Sequence, residues 1–305
     1  MTDRLTTSPA TVGYDDPQPR MAFFTDTTVC IGCKACEVAC KEWNDVPAGE
    51  MALTGFSYDN TVGLDADNWR AVHFIEQRIP QIRRDGEAGL FVDGELDITR
   101  ADGDGRVASV DSASDQGFRW LMSSDVCKHC TTAACLDVCP TGALFKTEFA
   151  TVVLQDDICN GCGYCVPACP YGVVDRRSDD GGAYKCTMCY DRLKGGMEPA
   201  CAQSCPTDSI LFGTYEDMRA AAAERLDEVV EAGYVGAQLY GADEANGVDG
   251  CGAFFLLLDD PEVYGLPPDP IAATKFLPGV WRAVGAAALG MGAVIVGAVV
   301  AGRRA

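Results

Sequence analysis

The sequence predicts an α+β, loop-rich chain built of two interleaved cysteine-bearing modules and closed by one C-terminal transmembrane helix. Three observations carry this expectation. Sixteen of the seventeen cysteines fall into four runs, Cys30–Cys40, Cys127–Cys139, Cys159–Cys169 and Cys186–Cys205. Each run opens Cys-x2-Cys and closes Cys-x3-Cys, so one small unit recurs four times. Residues 283–302 (AVGAAALGMGAVIVGAVVAG) carry no charge at all.

Taken in order, residues 1–20 are polar, with Pro9, Pro17 and Pro19, and read as a disordered tail. They contain no apolar run long enough for a signal peptide. Residues 21–210 hold the four runs. The first and last runs define an outer module, 21–60 with 180–210; the adjacent middle runs define an inner module, 120–180. Between them, 60–119 is an insertion within the cysteine-free stretch Lys41 to Val126. Its centre is rich in Asp, Gly and Ser, and Asp102-Gly103-Asp104-Gly105 reads as a tight turn on a surface hairpin or excursion. The twelve-residue ligand pattern of a calcium loop is missing.

Residues 211–270 read as an accessory α/β segment. Ser209–Thr214 is a short strand. Tyr215–Ala232, with acids in its first turn and Gly233 after it, is an amphipathic helix, and Ala253–Leu258 is a buried strand. Pro261, Pro267, Pro268 and Pro270 lead into a linker and anchor over 271–305, with the span at about 283–302. Twenty residues at 1.5 Å each make about 30 Å, the thickness of bilayer hydrocarbon. Trp281 and Arg282 suit an interface, and small residues at Ala286/Gly290 and Ala293/Gly297 suit close packing on another membrane helix. Arg303-Arg304 favour a cytoplasmic C-terminus with the cysteine domain on the extracytoplasmic face; Arg282 weighs toward the cytoplasmic face.

The formal net charge of −21 excludes the basic footprint that nucleic-acid binding requires. For the cysteines, disulfides, zinc and iron–sulfur clusters compete. A start without an export signal places synthesis in a reducing compartment, where clustered cysteines hold metals. Zinc needs one or two Cys-x2-Cys pairs closing a single tetrahedron. Cys30-x2-Cys33-x2-Cys36-x3-Cys40 and Cys159-x2-Cys162-x2-Cys165-x3-Cys169-Pro170 instead follow the bacterial ferredoxin run, in which three stepped thiolates grip one cubane and the fourth crosses to its neighbour. The other two runs widen the second gap, to Cys130-x4-Cys135 and Cys189-x11-Cys201.

Ferredoxin-type runs work in pairs. Crossing the fourth ligand within each pair assigns one cluster to Cys30, Cys33, Cys36 and Cys205, and a second to Cys40, Cys186, Cys189 and Cys201. A third falls to Cys127, Cys130, Cys135 and Cys169, and a fourth to Cys139, Cys159, Cys162 and Cys165. The expected cofactors are therefore four [4Fe–4S] clusters. Cys251 is left as a small buried residue, and His129 is not needed as a ligand. Lys34, Lys128 and Lys185 adjoin ligand cysteines; they either raise cluster potentials by their charge or are simply solvated. With two histidines, no nucleophile–base constellation and no phosphate loop, no catalytic site is expected.

The runs CKHCTTAACLDVCP, CNGCGYCVPACPYGVV and KCTMCYDRLKGGMEPACAQSCPTDSILFGT resemble the iron–sulfur (beta) subunits of molybdopterin oxidoreductases. With the opening FFTDTTVCIGCKACEVACKEWN and the Gly265-Leu266-Pro267 approach to one membrane helix, the whole is similar to the beta subunit of respiratory formate dehydrogenase. That resemblance implies a complex in the cell membrane. A molybdenum- or tungsten-pterin alpha subunit would oxidise formate, this chain would relay the electrons, and a cytochrome b gamma subunit would pass them to quinone. The same role beside a sulfur-compound or nitrate-type reductase is the alternative.

Overall fold

Phe23 and Phe24, neighbours on strand β1 (Met21–Asp26), point to opposite faces of one sheet, and both are buried. The computed structural model describes residues 14–49, 54–55, 58–78, 91–92, 95–96 and 118–303. In it β1 is a central strand. It pairs antiparallel with β4 (Ile210–Thr214), from Met21↔Thr214 to Thr25↔Ile210, and parallel with β6 (Ala253–Leu257), from Phe23↔Ala253 to Asp26↔Leu256. β5 (Gln238–Tyr240) borders β6, giving the order β4-β1-β6-β5.

Strand periodicity sorts the side chains. Ala22, Phe24, Phe254 and Leu256 pack with Tyr215, Ala222 and Val229 of helix α2 (Tyr215–Glu231). Phe23, Phe255 and Leu257 face the other way, into a core shared with the cysteines. A strand covered on both faces needs an unbroken apolar run, which AFFLL supplies. The segment expected as an accessory beyond residue 210 is thus integral: its strands flank β1 because an isolated strand leaves its backbone groups unpaired.

The insertion enters through a long antiparallel ribbon of β2 (Arg70–Arg78) and β3 (Phe118–Val126), in register from Arg70↔Val126 to Arg78↔Phe118. The base of this ribbon is buried, with Ala71, Val72, Leu121 and Val126 in the core, and the surface excursion expected of the centre lies largely outside the described residues. The expected Asp102–Gly105 turn lies outside the described residues. So does most of the expected tail; from Tyr14 onward, however, the chain is tied down. Tyr14 donates to the Lys146 carbonyl at 3.0 Å, and Arg20 donates to Thr131 Oγ1 at 2.8 Å.

At the other end the linker docks on the inner module. Thr274 Oγ1 donates to Asp137 at 2.6 Å, and Lys275 pairs with Asp249 at 2.6 Å. Helix α3 (Leu277–Gly302, 26 residues) follows, starting earlier than the expected span, and its described side chains lie exposed. It is long and apolar enough to cross a membrane.

Candidate functional site

Each cysteine run folds the same way. In every Cys-x2-Cys loop the residue before the second cysteine adopts a left-handed backbone: Gly32 (φ 64), His129 (φ 44), Gly161 (φ 68) and Met188 (φ 59). A helical piece then leads to the last cysteine: α1 (Ala35–Asn44), which contains Cys36 and Cys40, then Ala134–Asp137, Cys165–Ala168 and Ala200–Gln203. Three runs end in Cys-Pro and a turn, in which Gly142, Gly172 and Asp208 donate N–H to the carbonyls of Cys139, Cys169 and Cys205. Proline stops the helical piece, and the reversal leaves the cysteine at its tip.

None of the seventeen cysteines forms a disulfide. Cys30, Cys33, Cys36 and Cys205 line one cavity, with Val72, Ser124, Ser209 and Ile210 around them. Cys127, Cys130, Cys135 and Cys169 line another, walled by Val152, Val173 and Tyr171. Cys40, Cys186, Cys189 and Cys201 are all buried. Burial first, then the neighbouring Cys186, Cys201 and Cys189, push the Cys40 thiol well above its usual range. Asn44 Nδ2 lies 3.8 Å from Cys40 Sγ and 3.7 Å from Cys189 Sγ. In the last group, burial and then the neighbouring Cys159, Cys162 and Cys139 push Cys165 up to about 11.

A thiol of the neighbouring group is among the charges that raise Cys36, Cys186 and Cys135, which orders the groups in a line. Cys201 acts on Cys36, Cys127 acts on Cys186, and Cys165 acts on Cys135. Cys33 and Cys162, one in each terminal group, are exposed.

These residues fit iron–sulfide clusters. Iron requires thiolates, and thiolates in an apolar interior are costly unless a cation joins them. Burial is the largest cause raising nine of the sixteen thiols, so their ionisation is costly without a cation nearby. Bound iron supplies the missing positive charge. Four sulfurs around a single zinc would each lie about 2.3 Å from one point. Here, among the described residues, no three His, Cys, Asp or Glu side chains gather tightly enough for one ion.

The other singled-out residues divide. Lys128 and Lys185 are 1% exposed, so neither is solvated. Lys128 Nζ pairs with Asp125 and donates to the Val126 carbonyl at 2.9 Å. Lys185 Nζ donates to the carbonyls of Val152 and, at 2.9 Å, Cys186. Lys34 is partly exposed and paired with Glu37 at 3.5 Å and Asp59 at 3.3 Å. His129 Nδ1 accepts the Val152 N–H at 3.1 Å, and burial, then Lys185, Arg70 and Arg20, keep the ring neutral. Cys251 is fully buried and bridges Cys130 as an antiparallel partner, with the Tyr171 hydroxyl 3.3 Å from its sulfur. Sequence reasoning missed Arg70, Ser124 and Asn44: Arg70 and Ser124 reach the thiols only through the fold, whereas Asn44 lies one helical turn after Cys40 and meets Cys189 through the fold.

Fold and thiols together define a ferredoxin-like iron–sulfur protein that binds [4Fe–4S] clusters. Two 4Fe-4S dicluster domain families match, one over residues 29–143 and the other over 118–215. The formate dehydrogenase iron–sulfur subunit of Haemophilus influenzae is 36% identical over 259 residues, 84% of this chain and 71% of its own length. The formate dehydrogenase-O iron–sulfur subunit of Escherichia coli K12 is 36% identical over 277 residues, 89% of this chain and 79% of its own. The formate dehydrogenase subunit beta of Megalodesulfovibrio gigas is 30% identical over 255 residues, 79% and 95% respectively. The chain belongs to the family of formate dehydrogenase iron–sulfur subunits. It is a non-catalytic, electron-transfer subunit of an oxidoreductase complex.

Proposed function

We propose that this chain relays electrons through four [4Fe–4S] clusters, from a molybdopterin catalytic subunit that oxidises formate to a cytochrome b subunit that reduces quinone. When bound, the clusters supply one-electron carriers. The sixteen ligands are the four groups named above, from Cys30, Cys33, Cys36 and Cys205 at one end to Cys139, Cys159, Cys162 and Cys165 at the other.

The observation that carries the reading is the linear order of those groups. Interior thiols link each group to the next, and only the terminal groups contain an exposed cysteine. A relay needs two accessible ends and a protected middle. Direction follows from the anchor. The linker bonds Asp137, which lies between Cys135 and Cys139, and this supports a Cys162 end toward the membrane and a Cys33 end toward the catalytic partner. The exposed, apolar α3 supports attachment to a bilayer, and Arg303-Arg304 support a cytoplasmic C-terminus with the cluster domain outside.

Anaerobic purification with its partners tests this: about sixteen iron atoms per chain are expected, four for each cubane. In the Cys162→Ser variant, formate:quinone activity falls sharply and one cluster is lost. Formate oxidation with an artificial acceptor at the catalytic subunit persists. Retention of all clusters with full quinone reduction defeats the ligand assignment.

A further inference from the structure

Arg70 stands at the start of β2, in the cysteine-free insertion, yet its side chain is only 2% exposed. Nη1 donates to the Ser124 hydroxyl at 3.0 Å and to the Ser124 carbonyl at 3.3 Å. Its other donors, Nε and Nη2, are buried without a protein partner. Among the described residues no carboxylate forms an ion pair with it. One face of the guanidinium lies over Phe23, 5.0 Å from the ring centroid. Burial disfavours its charge, whereas Cys201, Cys36, Cys186 and Cys40, as thiolates, favour it, and the Ser124 hydroxyl it holds lies 3.2 Å from Cys36 Sγ. Three of those thiols belong to the Cys40 group and one to the Cys30 group.

A buried guanidinium with idle N–H donors is expensive unless an anion meets it. Every other basic side chain placed next to a thiol by the sequence has its own partners: Lys34 has Glu37 and Asp59, Lys128 has Asp125, and Lys185 has two carbonyls. Among the described residues Arg70 leaves two N–H donors idle, while the other unpartnered buried nitrogen beside a thiol, His129 Nε2, belongs to a neutral ring. A cubane on four thiolates is anionic and gains a further negative charge on reduction, which a fixed adjacent cation favours. Guanidinium does not deprotonate in this pH range, so the effect is constant with pH.

We propose that Arg70 sets potential: a permanent cation between the Cys30 and Cys40 groups, its free Nε–H and Nη2–H donating to sulfurs of the clusters held there. It raises the midpoint potentials of those two clusters and leaves the Cys127 and Cys139 groups unaffected. This rests on the cluster reading above, and iron content separates the two: wild-type protein without iron removes the functional reading itself.

The test is redox-titrated EPR of the anaerobically purified full-length chain, in the complex in which it is isolated. With wild-type iron content, Arg70→Gln shifts two of the cluster potentials downward and leaves two unchanged; Arg70→Lys, which keeps the charge, shifts them less. Unchanged potentials in Arg70→Gln, or an equal shift of all clusters, overturn the proposal. Should Arg70→Gln fail to assemble, wild-type protein labelled with [15N]arginine decides. Pulsed EPR of the reduced sample shows a nitrogen coupling if the guanidinium donates to a cluster, and its absence overturns the proposal.

Discussion

At the scale of single residues, the four cluster loops share a backbone constraint. The position before the second cysteine is left-handed whether it is Gly32, His129, Gly161 or Met188. For a non-glycine residue that conformation costs roughly 1–2 kcal/mol. His129 and Met188 are 1% and 0% exposed, so packing offsets the strain. At Gly161 space is the second constraint. A Cβ there would lie 2.6 Å from the Gly181 carbonyl oxygen, whereas at Gly172, also left-handed (φ 64), it would meet nothing within 4 Å. The two glycines therefore separate strain from collision. Gly172→Ala is expected to cost about 1 kcal/mol with iron retained. Gly161→Ala is expected to cost several kcal/mol, since backbone must move, and to lose the cluster proposed for Cys159 and Cys162. Denaturant unfolding and iron assays on both variants give the ranking, and equal effects contradict this geometry.

At the scale of elements, what the sequence revealed depended on how local the cause was. The cysteine runs were legible because ligand spacing is a property of ten to twenty consecutive residues. Helix α2 was legible for the same reason. Thr214 caps it, accepting the Asp217 N–H at 3.2 Å, and acids occupy its first turn. What sequence could not reveal was pairing across long separations. β1 finds β4 and β6 far along the chain, so the segment beyond residue 210 looked separable when it completes the central sheet. Arg70 was hidden for the same cause: the ribbon of β2 and β3 carries it to the thiols, and neither Trp69 nor Ala71 announces that. The cap gives a test confined to α2. Thr214→Ala should lower stability by about 1 kcal/mol through the lost cap, with iron content and cluster spectra unchanged because α2 covers the sheet face away from the thiols. Loss of iron in that variant would mean that the sheet transmits damage from one face to the other.

At the scale of the whole molecule, the cluster domain and the helix have different requirements. The domain buries many of its thiols and phenylalanines internally; the described residues of α3 bury nothing, and the helix is apolar along a membrane-spanning length. Rich in alanine and glycine, α3 offers little insertion energy per residue on the scale where leucine and isoleucine drive insertion. On the proposed function its contribution is attachment. Thr274 and Lys275 fix where the helix leaves the inner module, beside Asp137 and Asp249, so attachment also orients the Cys162 end. Ending the chain after Pro270 removes both contacts and the helix but no cysteine. The shortened chain, expressed without other subunits, is expected in the soluble fraction without detergent, with the same iron content as the full-length chain, which is expected in the membrane fraction. If the shortened chain loses iron, the linker is part of the cluster fold. If the full-length chain is equally soluble, α3 is a surface for another protein and not an anchor.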